Sequence, residues 1–167
     1  MDDKVIDFYS EKLKRAKEGI TMVKMTIKEV VEKFNTVQKL AVVEGRIPIK
    51  ITYRIGKNAR KMESIVKDFQ NERQKLFMKY GVLDEKTKQM TIPPEKIDEF
   101  TKEIEDFVSQ EIELEIMPVS IVEFHRYEKK INNQPYQISG KDMMDTEFLW
   151  EDMDKIESLP EEEKKGN

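Results

Sequence analysis

Cysteine is absent from this 167-residue chain, and histidine occurs once, at position 125. Without thiols there is no disulfide framework, thiolate nucleophile or cysteine-zinc site. A single imidazole cannot supply a two-histidine metal site or a paired-histidine acid/base system within one chain. Glycine and proline are scarce, six of each, and they fall between periodic segments, so long helices joined by short connections are expected. No apolar run approaches the roughly 18 residues that span a bilayer, and Met1-Asp2-Asp3-Lys4 does not open a signal peptide. The expectation is a cytoplasmic protein without membrane contact. There is also no glycine-rich phosphate loop, nucleophile elbow or dinucleotide fingerprint, so no cofactor is expected.

What the chain does have is charge. It carries 34 acidic and 30 basic side chains, a net charge of −4, with 38% hydrophobic and 38% charged residues. Its length fits one core. The fold class this implies is α+β, mostly α: long amphipathic helices packed with a small two-stranded sheet.

Val5, Ile6, Tyr9, Leu13, Ala16 and Ile20 recur at helical spacing behind Asp2 and Asp3, predicting an N-terminal helical arm over 1–19 that Gly19 stops. Residues 21–26 read as a short strand. Thr26-Ile27-Lys28-Glu29 has capping-box spacing, so a helix starts there and runs along Ile27, Val30, Val31, Phe34, Val37, Leu40 and Ala41 to a stop at Gly45. Residues 47–55 are ambiguous. Ile47, Ile49, Ile51, Tyr53 and Ile55 alternate as in a strand, with Gly56 as its break. Yet Pro48 suits a first helical turn, and Ile51, Ile55, Ala59, Met62, Ile65, Val66, Phe69, Leu76, Phe77 and Tyr80 keep a 3.6-residue period to Gly81. One long helix over about 48–80 is the favoured reading.

Residues 82–94 read as a loop with a turn at Asp84-Glu85-Lys86-Thr87, and Pro93-Pro94 opens another helix through Ile97, Phe100, Ile104, Phe107 and Val108. Ile112, Leu114 and Ile116 then alternate with Glu111, Glu113 and Glu115, a strand over 111–118 with one wet face and a natural partner for 21–26. Ser120 and Glu123 are spaced to cap a short helix near Phe124 and Tyr127. After a linker at Asn132-Asn133-Gln134-Pro135, Ser139 and Asp142 are placed to cap a final docking helix carrying Met143, Met144, Phe148, Leu149, Trp150, Met153 and Ile156, closed by Pro160. The organisation is thus an arm over 1–19, a core over 20–130, a linker and docking helix over 131–159, and a disordered acidic tail over 160–167.

Charge is segregated: residues 46–80 hold ten basic and three acidic groups, residues 81–128 five basic and thirteen acidic ones. The plain reading is that the acidic helix lies beside the basic one. The sharper reading starts from Lys50, Arg54, Lys57 and Lys61, which recur along one helical face with Tyr53 and Arg60 beside them. Guanidinium and ammonium groups match phosphates, and a tyrosine ring stacks on a base, so these six are the candidate ligand-binding residues. Net negative charge argues against extended nucleic acid and leaves a small anionic nucleotide as the fitting ligand. His125, beside Glu123 and Arg126, is the one acid/base candidate, read first as structural. Glu111, Glu113 and Glu115 are read as a wet strand face, with no metal expected.

The segment Ile47-Pro48-Ile49-Lys50-Ile51-Thr52-Tyr53-Arg54-Ile55-Gly56-Lys57-Asn58, continuing through Arg73-Gln74-Lys75-Leu76 to Lys79-Tyr80-Gly81, resembles a family of small, functionally unassigned proteins encoded by tailed bacteriophages and prophages. Its members have a similar basic helix, then an acidic helix and an acidic strand like 111–118, and a closing helix similar to Ile138-Ser139-Gly140-Lys141-Asp142 through Phe148. The resemblance covers roughly residues 21–152 and contains no catalytic motif; the N-terminal helix departs from it. It implies a phage setting and the helical form of 48–55.

Three functions follow as expectations. The first is a non-catalytic antagonist of a host defence that captures a small nucleotide signal or covers a host protein. The second is a structural or assembly accessory of the virion in the tail or neck region. The third, a hydrolase built on His125, lacks identifiable partner groups. Self-association is expected in either leading case, because a long apolar stripe needs cover along its whole length.

Overall fold

A computed structural model describes residues 19–42, 48–124 and 139–151. The N-terminal arm, the Gly45 stop, His125, Tyr127, the linker, and the acidic tail with Met153, Ile156 and Pro160 all lie outside the described residues. Within them the fold is α+β and mostly helical, as expected.

The small sheet pairs β1 (Thr21–Thr26) antiparallel with β4 (Glu111–Ile116), so that Val23 opposes Leu114 and Met25 opposes Ile112. Alternation puts these residues on the core face and leaves Lys24 and Glu113 outside, 4.0 Å apart and well exposed. Such a pair contributes about 0–1 kcal/mol. The sheet is held by its apolar face.

Helix α1 (Ile27–Ala41) begins with the expected capping box. The Glu29 N–H donates to Thr26 Oγ1 at 3.2 Å, and the Thr26 N–H donates to Glu29 Oε2 at 2.7 Å. The Thr26 hydroxyl also donates to Glu29 Oε2, at 2.9 Å, and the two bonds from the Thr26 backbone N–H and hydroxyl hold the Glu29 carboxyl below its usual range. Helix α2 (Ile49–Tyr80) has 32 residues and is about 48 Å long at 1.5 Å per residue. The strand alternative for 47–55 is excluded for the described part. Ile51 and Ile55 are buried whereas Ile49 is 88% exposed, a separation that a helix makes and a period of two does not.

Residues 82–94 are more ordered than the loop expected. Val82–Leu83 (β2) and Met90–Thr91 (β3) form an antiparallel ribbon, too short to register as a periodic pattern. Its turn is built where expected: Asp84 Oδ1 accepts from the Lys86 N–H at 2.7 Å and the Thr87 N–H at 3.2 Å. Lys88 takes a left-handed conformation at φ 56°. Helix α3 (Pro94–Val108) then starts with Pro94 at its first position.

The strand expected over 111–118 ends at Ile116, because Met117 and Pro118 leave the β1 register and turn along α2. Val119–Ser120 (β5) pairs parallel with Trp150–Glu151 (β6), a third two-stranded pairing that alternation did not reveal. The Glu123 N–H donates to Ser120 Oγ at 3.2 Å, capping a helical turn over 121–124.

The final docking helix is corrected. Helix α4 (Gly140–Asp145) is only six residues long, followed by a 3₁₀ turn (Glu147–Leu149) and then β6. Ser139 caps it as expected, accepting from the Asp142 N–H at 3.1 Å. Thr146 ends it: fully buried, its hydroxyl donates back to Asp142 O at 2.7 Å and accepts from Trp150 Nε1 at 3.0 Å. Leu149 and Trp150 thereby enter the core, and Phe124 meets the Trp150 ring edge-on at 5.2 Å. The segment does dock, onto α1, through Lys39–Asp142 at 2.9 Å and Thr36–Asp145 at 3.1 Å.

One core results. It joins Val30, Val37 and Leu40 of α1 to Ile51, Ile55, Met62 and Val66 of α2, Leu114 and Ile116 of β4, and Leu149. Fully burying side chains of this size is worth about 1.5–3 kcal/mol each. The core uses α2 only as far as Val66.

Candidate functional site

The first three turns of α2 present a different surface on each side. One side carries Ile51, Ile55, Asn58, Ala59 and Met62 into the core. Opposite lies a row at helical spacing, Thr52, Tyr53, Gly56, Lys57 and Arg60, which with Ile49 and Ala41 of α1 lines a groove of about 300 Å³. That volume is at the lower end of the range for small-molecule sites, about 300–1,000 Å³.

The groove has an apolar floor and a cationic wall. Gly56 lies in its base with nothing within 4 Å of where a Cβ would stand, so the missing side chain leaves space. Tyr53 is exposed, and Lys57 Nζ sits 5.5 Å from the centre of its ring. Arg60 is exposed at the far end. Among the described residues neither Lys57 nor Arg60 is matched to a carboxylate. A cation held over an aromatic face keeps most of its donors available to an anion while defining one side of the ring.

The six candidate residues therefore divide. Tyr53, Lys57 and Arg60 share the groove; Lys50, Arg54 and Lys61 do not line it. At 100° per residue, Arg54 and Lys61 are turned toward β4 and β5. Arg54, 28% exposed, donates to Pro118 O at 2.7 Å and lies 3.8 Å from Glu151. Lys61 pairs with Glu115 at 3.3 Å, so this acid of the wet face is half covered. Lys50 is exposed and faces a smaller depression of about 190 Å³ shared with Arg54, Ser120, Glu123 and Glu151. The carboxylates there oppose an anion.

The acidic helix does not cover the groove. It meets the other half of α2, where Lys79 Nζ and the Tyr80 hydroxyl both donate to Glu103 Oε1 at 2.6 Å. The shared carboxylate pushes Lys79 and Tyr80 up, and the Lys79 ammonium, with the Tyr80 hydroxyl, holds Glu103 down. Tyr80 also meets Phe100 edge-on at 6.3 Å, and Phe69 stacks on Phe107 at 6.4 Å.

Asn58 is not among the candidates that the sequence suggests, yet it positions the site. Fully buried, its Nδ2 donates to Met117 O at 2.9 Å and its Oδ1 accepts from the Met117 N–H at 2.8 Å. It closes both backbone groups of one residue, fastening the β4–β5 link to the helix that carries the groove. The signal is there to be read: an amide standing on an apolar stripe, three residues after Ile55 and four before Met62, must find partners inside.

Among the described residues no three His, Cys, Asp or Glu side chains are gathered so as to hold a metal ion. Nor is any helix there long and apolar enough to cross a membrane. No family model, curated protein or solved structure matches the chain.

Proposed function

We propose that this protein is a non-catalytic binding protein of a phage setting, working in the host cytoplasm, that antagonises a host defence by sequestering a small nucleotide signal in the α1–α2 groove. One observation carries the reading: an aromatic ring, two cations without carboxylate partners among the described residues, and a glycine-floored space occur together on one helical row. A base would stack on the free face of Tyr53, worth about 1–3 kcal/mol. Lys57 and Arg60 would take the phosphates, each charged hydrogen bond adding about 1.5–3 kcal/mol. Binding of this kind needs no general acid or nucleophile, and removal of the free signal is sufficient for inhibition.

Titration calorimetry with a panel of cyclic and ADP-ribose-type nucleotides tests the reading. Heat with one of them, lost in both Tyr53→Ala and Arg60→Glu, is the expected result. No heat with any member of the panel removes the small-ligand version and leaves the covering of a host protein by the same face.

A second reading, an accessory of the virion tail or neck, is favoured by the long α2–α3 hairpin with its exposed apolar end. Mass spectrometry of purified particles separates the two: a sequestering protein is absent from particles, an accessory is present.

A further inference from the structure

Beyond Val66 the second half of α2 leaves the core and is accompanied mainly by α3. This two-helix hairpin is poorly covered. Helix α3 is amphipathic, yet none of its residues is fully buried, and Phe100, Ile104 and Phe107 are only partly so. On the α2 side Leu76 alone is buried beyond Val66. At the tip, Met78, Val82 and Leu83 are more than half exposed and Ile97 is 47% exposed. Gly81 permits the tight exit into the ribbon, since a Cβ there would stand 2.6 Å from Phe77 O and 2.8 Å from the Met90 methyl.

Two helices can cover only one side of a shared apolar seam; four helices enclose it. The charges indicate what supplies the other pair. Residues 67–80 carry four basic groups (Lys67, Arg73, Lys75, Lys79) and two acidic ones (Asp68, Glu72). Residues 94–108 carry two basic groups (Lys96, Lys102) against six acidic ones. One helix of the hairpin is thus net positive and the other net negative. Within the chain Lys67, Lys75 and Lys79 already meet Glu63, Glu72 and Glu103, so a partner would meet chiefly Arg73 on α2 and Glu95, Asp98, Glu105 and Asp106 on α3. A two-fold axis that lays α2 of one copy across α3 of the other brings opposite signs together in both directions.

From this juxtaposition we propose that the α2–α3 hairpin is the docking surface for a second copy of the same chain. The two hairpins overlap antiparallel at their tips, so that Met78, Leu83 and Ile97 of both copies form the apolar centre around the axis and opposite charges the rim. The closed symmetry stops assembly at two. This surface is distinct from the groove, which stays open on each copy.

Sedimentation velocity on the full chain, across roughly 1–100 µM to cover micromolar association, should show a species of twice 19.9 kDa. Ile97→Asp and Leu83→Asp should each raise the dissociation constant by at least about tenfold, as loss of a central apolar contact does. Raising the salt to about 1 M should weaken the dimer as well, because rim charges are screened within about 3 Å there. Since the chain is free of cysteine, a second measurement is independent of those variants. A short bismaleimide should link two chains of Ile97→Cys and not two chains of Lys28→Cys, whose exposed position lies on α1. A monomer at every concentration overturns the proposal. So does a dimer that survives both aspartates unchanged and is trapped equally from Lys28→Cys, because its interface then lies elsewhere.

Discussion

Replacing Asn58 by leucine removes the polar fastening without opening a cavity. Leucine keeps the forked heavy-atom outline of asparagine, so no cavity forms, but its methyls are bulkier than the amide and crowd a filled site, and the Met117 N–H and C=O both lose their partner. A hydrogen bond contributes about 0.5–1.5 kcal/mol net, and a polar group left unpaired away from water costs about 1–3 kcal/mol. Met117 is only partly buried, so water relieves some of that cost. The loss expected for Asn58→Leu is about 2–4 kcal/mol, or on the order of 10 °C in melting temperature for a domain of this size. Asn58→Asp should be worse: it keeps the bond from the Met117 N–H but turns a buried carboxylate oxygen toward the Met117 carbonyl. Urea unfolding followed through Trp150, the single tryptophan and buried against Phe124, reads both variants. The urea dependence of the free energy should stay that of the parent, since the unfolded chain exposes the same surface. An Asn58→Leu protein within about 0.5 kcal/mol of the parent, the noise of surface substitutions, refutes the idea that the amide fastens β4–β5 to α2.

Gly56→Ala should stabilise α2 by about 0.5–1 kcal/mol, because the Cβ meets open space and alanine is the better helix former. Gly56→Leu should leave the fold intact while filling the groove and abolishing ligand heat; binding that survives it removes the groove as the site. Thr146→Val should cost about 1–3 kcal/mol by orphaning Trp150 Nε1, and it should shift the Trp150 emission maximum. Glu29 and Asp142 are held low, the first by bonds from Thr26 and the second by the Lys39 ammonium. A carboxyl held low contributes stability that is complete above its unfolded value and is lost as pH falls through the lower folded value. Acid unfolding should therefore set in below about pH 4, and Asp142→Asn should be less stable than the parent at pH 7 yet converge with it in acid. Convergence that fails, measured by melting temperature against pH, counts against the Lys39–Asp142 contact.

Elements with strong local periodicity are legible in the sequence. The Thr26–Glu29 box, the Pro93-Pro94 opening, the Gly81 stop and the alternation of Ile112, Leu114 and Ile116 each express a rule acting within a few residues, and each appears where expected. Elements governed by distant partners are not. Strands β5 and β6 are two residues each and exist because Val119 and Trp150 meet across the core. The closing helix stops at Thr146 because a hydroxyl, an indole N–H and a buried site coincide there, a combination that sequence spacing along 142–156 does not contain.

The candidate site divides along the same line. Sequence alone determined that residues from about 56 to 80 form a basic helix, since helical geometry follows from the apolar period there; for 47–55, with Tyr53, it favoured helix over strand, and the tertiary structure decided it from Ile49 onward. Which of those cations are available was a tertiary matter. Arg54 is drawn to the Pro118 carbonyl and Lys61 to Glu115, both more than fifty residues away in the chain, whereas Lys57 and Arg60 face the groove beside α1. A side chain's place on a helix is set by its own turn, but its electrostatic partner is set by whatever the fold brings alongside.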